Sequence, residues 1–157
     1  VEEPIRADRP LRDWAAVSRA FTAPTAAGEN IYGTAAFDAF RDLGGLRILQ
    51  PDIAKWGGLS GARQVMETAG AANGKSAALW PHFMGSAVGQ WASLVVSALA
   101  GPESRCEFDV NANPLRSELT AEPFAVRDGR IAWPDRAGLV PEPAGEALGR
   151  FRADRGD

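Results

Sequence analysis

The side chains with chemistry to offer sit at the ends of short apolar runs. Glu2, Glu29, Asp52, His82 and Glu107 each close such a run, at intervals of 27, 23, 30 and 25 residues. An imidazole takes and gives protons near neutral pH, so acid–base chemistry is the first reading of this set. His82 is the single histidine of the chain. A lone histidine is more often structural or solvated than catalytic. At a strand end, with Asp52 at a matching strand end, the functional reading outweighs that one.

These positions need a scaffold, and the segment Gln50-Pro51-Asp52-Ile53-Ala54-Lys55-Trp56-Gly57-Gly58 shows how it is built. An apolar strand at 46–49 runs into it. Asp52 stands where the strand should end, and the Gly-Gly turn lets the backbone bend away. A helical pattern follows over 60–72. Strand, acid, glycine turn, helix is how a βα unit presents a group at the carboxyl end of a sheet or barrel.

The same order recurs along the chain. Val1 reads as the tail of a strand that delivers Glu2 and Glu3, with Pro4 ending the ladder. Apolar residues at helical spacing predict a helix over 11–21. A strand at 25–28 leads to Glu29, and a helix over 34–43 is stopped by Gly44-Gly45. A strand at 77–80 leads to His82, a strongly apolar helix covers 87–100, and a strand at 105–108 carries Glu107. Five strands at this repeat make roughly five-eighths of a (β/α)8 barrel. A doubly wound sheet would call for a glycine-rich phosphate fingerprint after an early strand, and the sequence has none. Residues 1–120 are thus expected to form a partial barrel carrying the site. Residues 121–157 add a hairpin around Asp128-Gly129, a proline-rich stretch and a helix over 144–151 to the same domain.

The totals bound the possibilities. A chain of 157 residues, 45% apolar and 24% charged, suits one soluble globular domain. A net charge of −3 without a Lys/Arg cluster argues against a nucleic-acid partner. One cysteine, Cys106, excludes an internal disulfide framework and fits a reducing, cytoplasmic compartment. The apolar stretch 87–100 is interrupted by Gln90 and is too short to span a bilayer. The chain opens on Val1-Glu2-Glu3-Pro4 without a signal-peptide pattern, and reads as a piece of something longer.

Glu2-Glu3-Pro4, Gly28-Glu29-Asn30, the segment from Pro51 to Gly58, and Pro81-His82 resemble the mandelate racemase/muconate lactonizing enzyme family of the enolase superfamily. They stand in the family's order and at its spacing. The resemblance runs from the family's fourth barrel strand to its C-terminus and is most specific in the long glycine-bearing segment. It implies the C-terminal part, about strands four to eight, of an α/β TIM-type barrel. It implies that Glu2 and Glu29 are the second and third carboxylate ligands of Mg²⁺, the first lying upstream of Val1. It implies that Asp52 and His82 are the catalytic dyad of strands six and seven, and that Glu107 matches the strand-eight glutamate of the mandelate racemase subgroup.

The physics suits those roles. Removing the proton next to a carboxylate would leave two negative charges on one carboxyl group. A hard cation held by carboxylates spreads that charge, and enolase-superfamily sites stabilise an ene-diolate in this way. Asp52 would orient His82 and fix its tautomer, and a protonated Glu107 could donate to a substrate oxygen. The expected activity is proton abstraction from a small carboxylate substrate, a hydroxy acid or acid sugar, by a Mg-dependent dehydratase. A racemase, epimerase or cycloisomerase of a related acid uses the same half-reaction, and a non-catalytic truncated barrel is the reading from another class. A homo-oligomer is expected from uncovered strand edges. Lys55 reads as structural because Asp52 holds the catalytic slot. Glu3 reads as the non-ligand of its pair. Asn111, Asn113 and Arg116 read as a capped turn, and the five tryptophans as packing residues.

Overall fold

Burial of one apolar face accounts for each helix, since all are short and isolated helices of this length are marginal. The computed structural model describes residues 1–70, 76–122, 124–133, 135, 137–139 and 141–153. Helix α1 (Leu11–Ala20) buries Trp14, α2 (Thr34–Asp42) buries Phe37, and α3 (Gly58–Ala69) buries Ala62 and Val65. Helix α4 (Ala87–Ala100) has the predicted bounds. The last two residues of the helix predicted over 60–72 lie outside the described residues.

Three short strands, β1 (Ala26–Ala27), β2 (Ile48–Leu49) and β3 (Ala78–Leu79), form a parallel sheet in that order. Ala26 pairs with Ile48 and Ile48 with Ala78. Parallel neighbours need a crossover, which α2 and α3 supply. Ala27 and Leu49 are fully buried and Leu79 nearly so, as in parallel sheets covered on both faces. Single parallel bridges extend the sheet, one setting Glu2 alongside the start of β1 at Ala26 and one pairing Asp52 with His82 beyond the carboxyl ends of β2 and β3. The strand ends that carry the candidate residues are therefore neighbours.

Two local features set the βα unit that contains Asp52. Gly57 adopts φ 70°, and a Cβ there would lie 2.9 Å from the Gly61 backbone, so the turn into α3 takes only glycine. Arg41, buried on α2, pairs with Asp38 and Asp42 and donates to the Thr68 carbonyl at 2.5 Å, fastening α2 to the end of α3.

The strand expected at 105–108 is not formed. Glu107 N donates to Pro81 O at 3.3 Å, but proline has no N–H to return the bond, so no ladder develops. Gln90 of α4 supplies a side-chain substitute, its Nε2 donating to the Glu107 carbonyl at 2.8 Å. The residue that interrupts the apolar stretch thus holds the last site segment against the sheet.

Beyond it, Asn113 caps the single turn α5 (Pro114–Ser117), and Arg116 pairs with Asp109 at 2.8 Å. These residues form the capped turn the sequence suggests. The hairpin β4 (Val126–Arg127) and β5 (Arg130–Ile131) turns at Asp128-Gly129, both at positive φ as a type I′ turn requires. Phe124 stacks on Trp91 of α4 at 4.8 Å, and Trp133 meets the same ring edge-on at 5.6 Å. Helix α6 (Gly145–Arg150) follows. Among the described residues no helix is long and apolar enough to cross a membrane.

Candidate active site

The ends of β2 and β3 place Asp52 and His82 side by side, both buried. His82 Nδ1 lies 2.8 Å from Asp52 Oδ2. The other Asp52 oxygen accepts the backbone N–H groups of Ala54 and Lys55, at 2.8 and 3.1 Å. Asp52 thus caps the turn toward α3 and holds the imidazole at the same time.

With Nδ1 committed to Asp52, Nε2 is the nitrogen that faces the open cavity. That cavity, about 850 Å³, is lined by Glu2, Glu3, Glu29, Glu107, His82 and Arg6 among others. Nε2 sits 2.8 Å from Glu29 Oε2 and 3.4 Å from Glu107 Oε2. Four of the five strand-end residues picked out by the sequence, Glu2, Glu29, His82 and Glu107, line this mouth, and Asp52 stands behind it as the Nδ1 partner of His82.

Their electrostatics differ. Burial works against ionisation of Glu29, but His82 and Lys55 together hold its carboxyl below the ordinary range. Burial pushes the Glu107 carboxyl up; His82 opposes that, and Glu2 and Glu29 add to it. Glu3 is pushed up by burial as well, with the Gly28 N–H opposing. Its Oε1 accepts that N–H at 3.2 Å, so the backbone of Gly28 holds Glu3 in place.

Three participants escape a reading of residue types alone. Lys55 Nζ lies 3.3 Å from Glu29 Oε1 and 3.4 Å from Asn30 Oδ1, at the edge of the site. Asn30 also donates to Glu29 Oε1 at 2.8 Å. Gln50 Nε2 donates to Glu2 Oε1 at 2.8 Å. The available signal was position: each lies within two or three residues of a strand-end acid.

The donor set suits a hard divalent cation. Five carboxylates, those of Glu2, Glu3, Asp8, Glu29 and Glu107, line a mouth whose nearby cations are Arg6 and Lys55. Mg²⁺ commonly takes one or two protein carboxylates and completes its shell with water and substrate oxygens. Among the described residues no three acidic, histidine or cysteine side chains converge on one point for a metal. Glu2 and Glu29 are engaged instead by Gln50, and by His82 and Lys55.

Comparison with known proteins places this geometry. Residues 1–147 match the family model described as enolase C-terminal domain-like. The chain is 31% identical over 159 aligned residues to the D-galactarolactone cycloisomerase of Agrobacterium fabrum, covering 96% of this chain and 41% of that protein. It is 34% identical over 82 residues to the D-galactonate dehydratase of Ralstonia nicotianae, covering 52% of this chain and 20% of that protein. The chain thus spans less than half the length of either relative. A mandelate racemase/muconate lactonizing enzyme-like protein from Rubrobacter xylanophilus superposes with a TM-score of 0.81 at 28% identity, over 99% of this chain and 39% of that one. The parallel βα order and these matches agree: the chain belongs to the enolase C-terminal domain-like family and corresponds to a C-terminal portion of the barrel of mandelate racemase/muconate lactonizing enzyme-type members of the enolase superfamily.

Proposed function

We propose that this chain carries the acid–base half of an enzyme that removes the proton next to the carboxylate of an acid sugar and then expels the β-hydroxyl as water. The observation that supports this reading is His82, held at Nδ1 by Asp52 and turned by Nε2 toward a cavity ringed with carboxylates. Nε2 takes the α-proton, and the electron pair of the broken C–H bond moves toward the substrate carboxylate. The imidazolium then returns a proton to the departing hydroxyl, so that water leaves and an enol remains. Asp52 keeps the ring oriented throughout and favours the cationic step. Glu107, whose carboxyl is pushed toward its neutral form, donates a hydrogen bond to a substrate oxygen. Glu2 and Glu29 would hold a divalent cation, which when bound supplies Lewis-acid stabilisation of charge on the substrate carboxylate.

Cycloisomerisation is the second reading. It shares the proton abstraction, and the relative named a cycloisomerase aligns over 96% of this chain. The two are separated by incubating active protein that contains residues 1–157 with aldonates, aldarates and their lactones in D₂O. A dehydratase yields a 2-keto-3-deoxy acid and loses water, whereas a cycloisomerase converts a lactone to an isomer of equal mass. Absence of both products and of α-deuterium exchange across the panel would sink the proposal.

A further inference from the structure

Gln50 is a buried polar side chain that takes no part in the dyad. It follows β2, two residues before Asp52, and its Nε2 donates to Glu2 Oε1 at 2.8 Å. The partners are 48 residues apart in sequence and stand on opposite sides of β1: Glu2 bridges Ala26, and Gln50 N donates to Ala27 O at 2.9 Å. The amide must therefore pass across the end of β1 to reach the carboxylate. The residue at that end is Gly28, where a Cβ would lie 2.5 Å from the Gln50 carbonyl carbon. Any side chain there would displace the Gln50 backbone.

The choice of donor matters. A neutral amide fixes one carboxylate oxygen without cancelling its charge, which a metal ligand must keep. Glu2 is exposed, so water could satisfy it if the amide were gone; the bond is not required to offset burial of Glu2.

We propose that Gln50 is a positioning residue for the metal site: its amide fixes Oε1 of Glu2 and leaves the second oxygen for a divalent cation, and Gly28 provides the clearance. The inference rests on the assignment of Glu2 as a metal ligand.

The test uses Mn²⁺ as the probe, titrated into active protein containing residues 1–157 and followed by electron paramagnetic resonance. Gln50→Met keeps length and removes the donor. It is expected to weaken Mn²⁺ binding by about 10- to 100-fold, the range for loss of a residue that orients a metal ligand, with the unfolding temperature of the metal-free protein little changed. Gln50→Glu keeps size and polarity but replaces the donor by an acceptor, and is expected to alter the Mn²⁺ line shape. It carries the test if Gln50→Met fails to fold. Wild-type affinity in Gln50→Met together with an unchanged line shape in Gln50→Glu would overturn the role of Gln50 and leave the metal assignment standing. Failure of the unsubstituted protein to bind Mn²⁺ would overturn both.

Discussion

His82 Nδ1 and Asp52 Oδ2 are 2.8 Å apart at the ends of adjacent parallel strands, and the second Asp52 oxygen is tied to the turn that begins the next βα unit. The orientation of the imidazole is thereby coupled to the strand–turn–helix geometry itself. His82→Asn is expected to lower turnover by about 10²-fold or more, the low end for general acid–base catalysis, while secondary structure is retained. Asp52→Asn keeps an oxygen for the turn and gives up the charge beside the ring, so it should fold and lose less. Steady-state kinetics with circular dichroism checks both. Near-normal turnover in His82→Asn would remove the dyad from the mechanism.

Glu29 Oε2 occupies the His82 nitrogen that the mechanism needs, at 2.8 Å. Engagement of Glu29 by a divalent cation should release that nitrogen. Diethyl pyrocarbonate is therefore expected to modify His82 faster in Mg²⁺-loaded protein than after chelation, as read by peptide mass spectrometry. Glu29→Gln should remove the difference. Equal modification rates with and without metal would count against Glu29 as a ligand.

Glu107 links stability to pH. Its carboxyl is pushed up, chiefly by burial. A group whose folded-state pKa is raised stabilises the fold below its unfolded value, and that contribution is lost as pH rises through the folded value. Glu107→Gln should thus unfold at a higher temperature than wild type near neutral pH, and the gain should vanish as pH falls below the ordinary 4.5. Calorimetry across that window tests the sign. Glu107→Leu, which removes the donor to substrate, is expected to cost about 10²-fold or more in kcat, as for loss of an oxyanion donor.

Cys106 gives an internal probe of the same segment. Burial first, and the neighbouring Glu107 second, push its thiol up to about 12, against a modest opposing bond from Gln90. Reaction with a disulfide reagent at pH 8 should be slow in folded protein and fast after unfolding, because the thiolate is the reactive form. The raised value also means that Cys106 favours the fold below its ordinary 9.0 and ceases to do so as pH passes through about 12. Gln90→Met, which frees the Glu107 backbone from α4, is expected to loosen the segment and speed the reaction at pH 8.

The linear order of the chain was enough to locate the βα units and the residues at their ends. Apolar runs bounded by glycine or proline, with an acid or histidine at each exit, are local patterns. Gly57-Gly58 after Asp52 is legible because the turn needs φ values that other residues resist. Helix α4 was readable to the residue because Ser86, Gly101 and Pro102 frame a strongly apolar stretch. Contacts between strands could not be read in this way. Gln50 meets Glu2 across 48 residues, Lys55 meets Glu29 across 26, and Gln90 meets the Glu107 backbone across 17. None of these pairs has a sequence period, since each depends on strand register and on which side chains clear the intervening backbone. The missing ladder at 105–108 has the same origin: the repeat marked the segment as a strand, but Pro81 on its neighbour offers a carbonyl and no N–H. Residue types determined what chemistry the mouth could host. Tertiary packing decided which carboxylate faces His82, which is held by Gln50, and which is pushed above the ordinary carboxyl range by burial, because those outcomes turn on distances and burial that arise only when the strand ends come together.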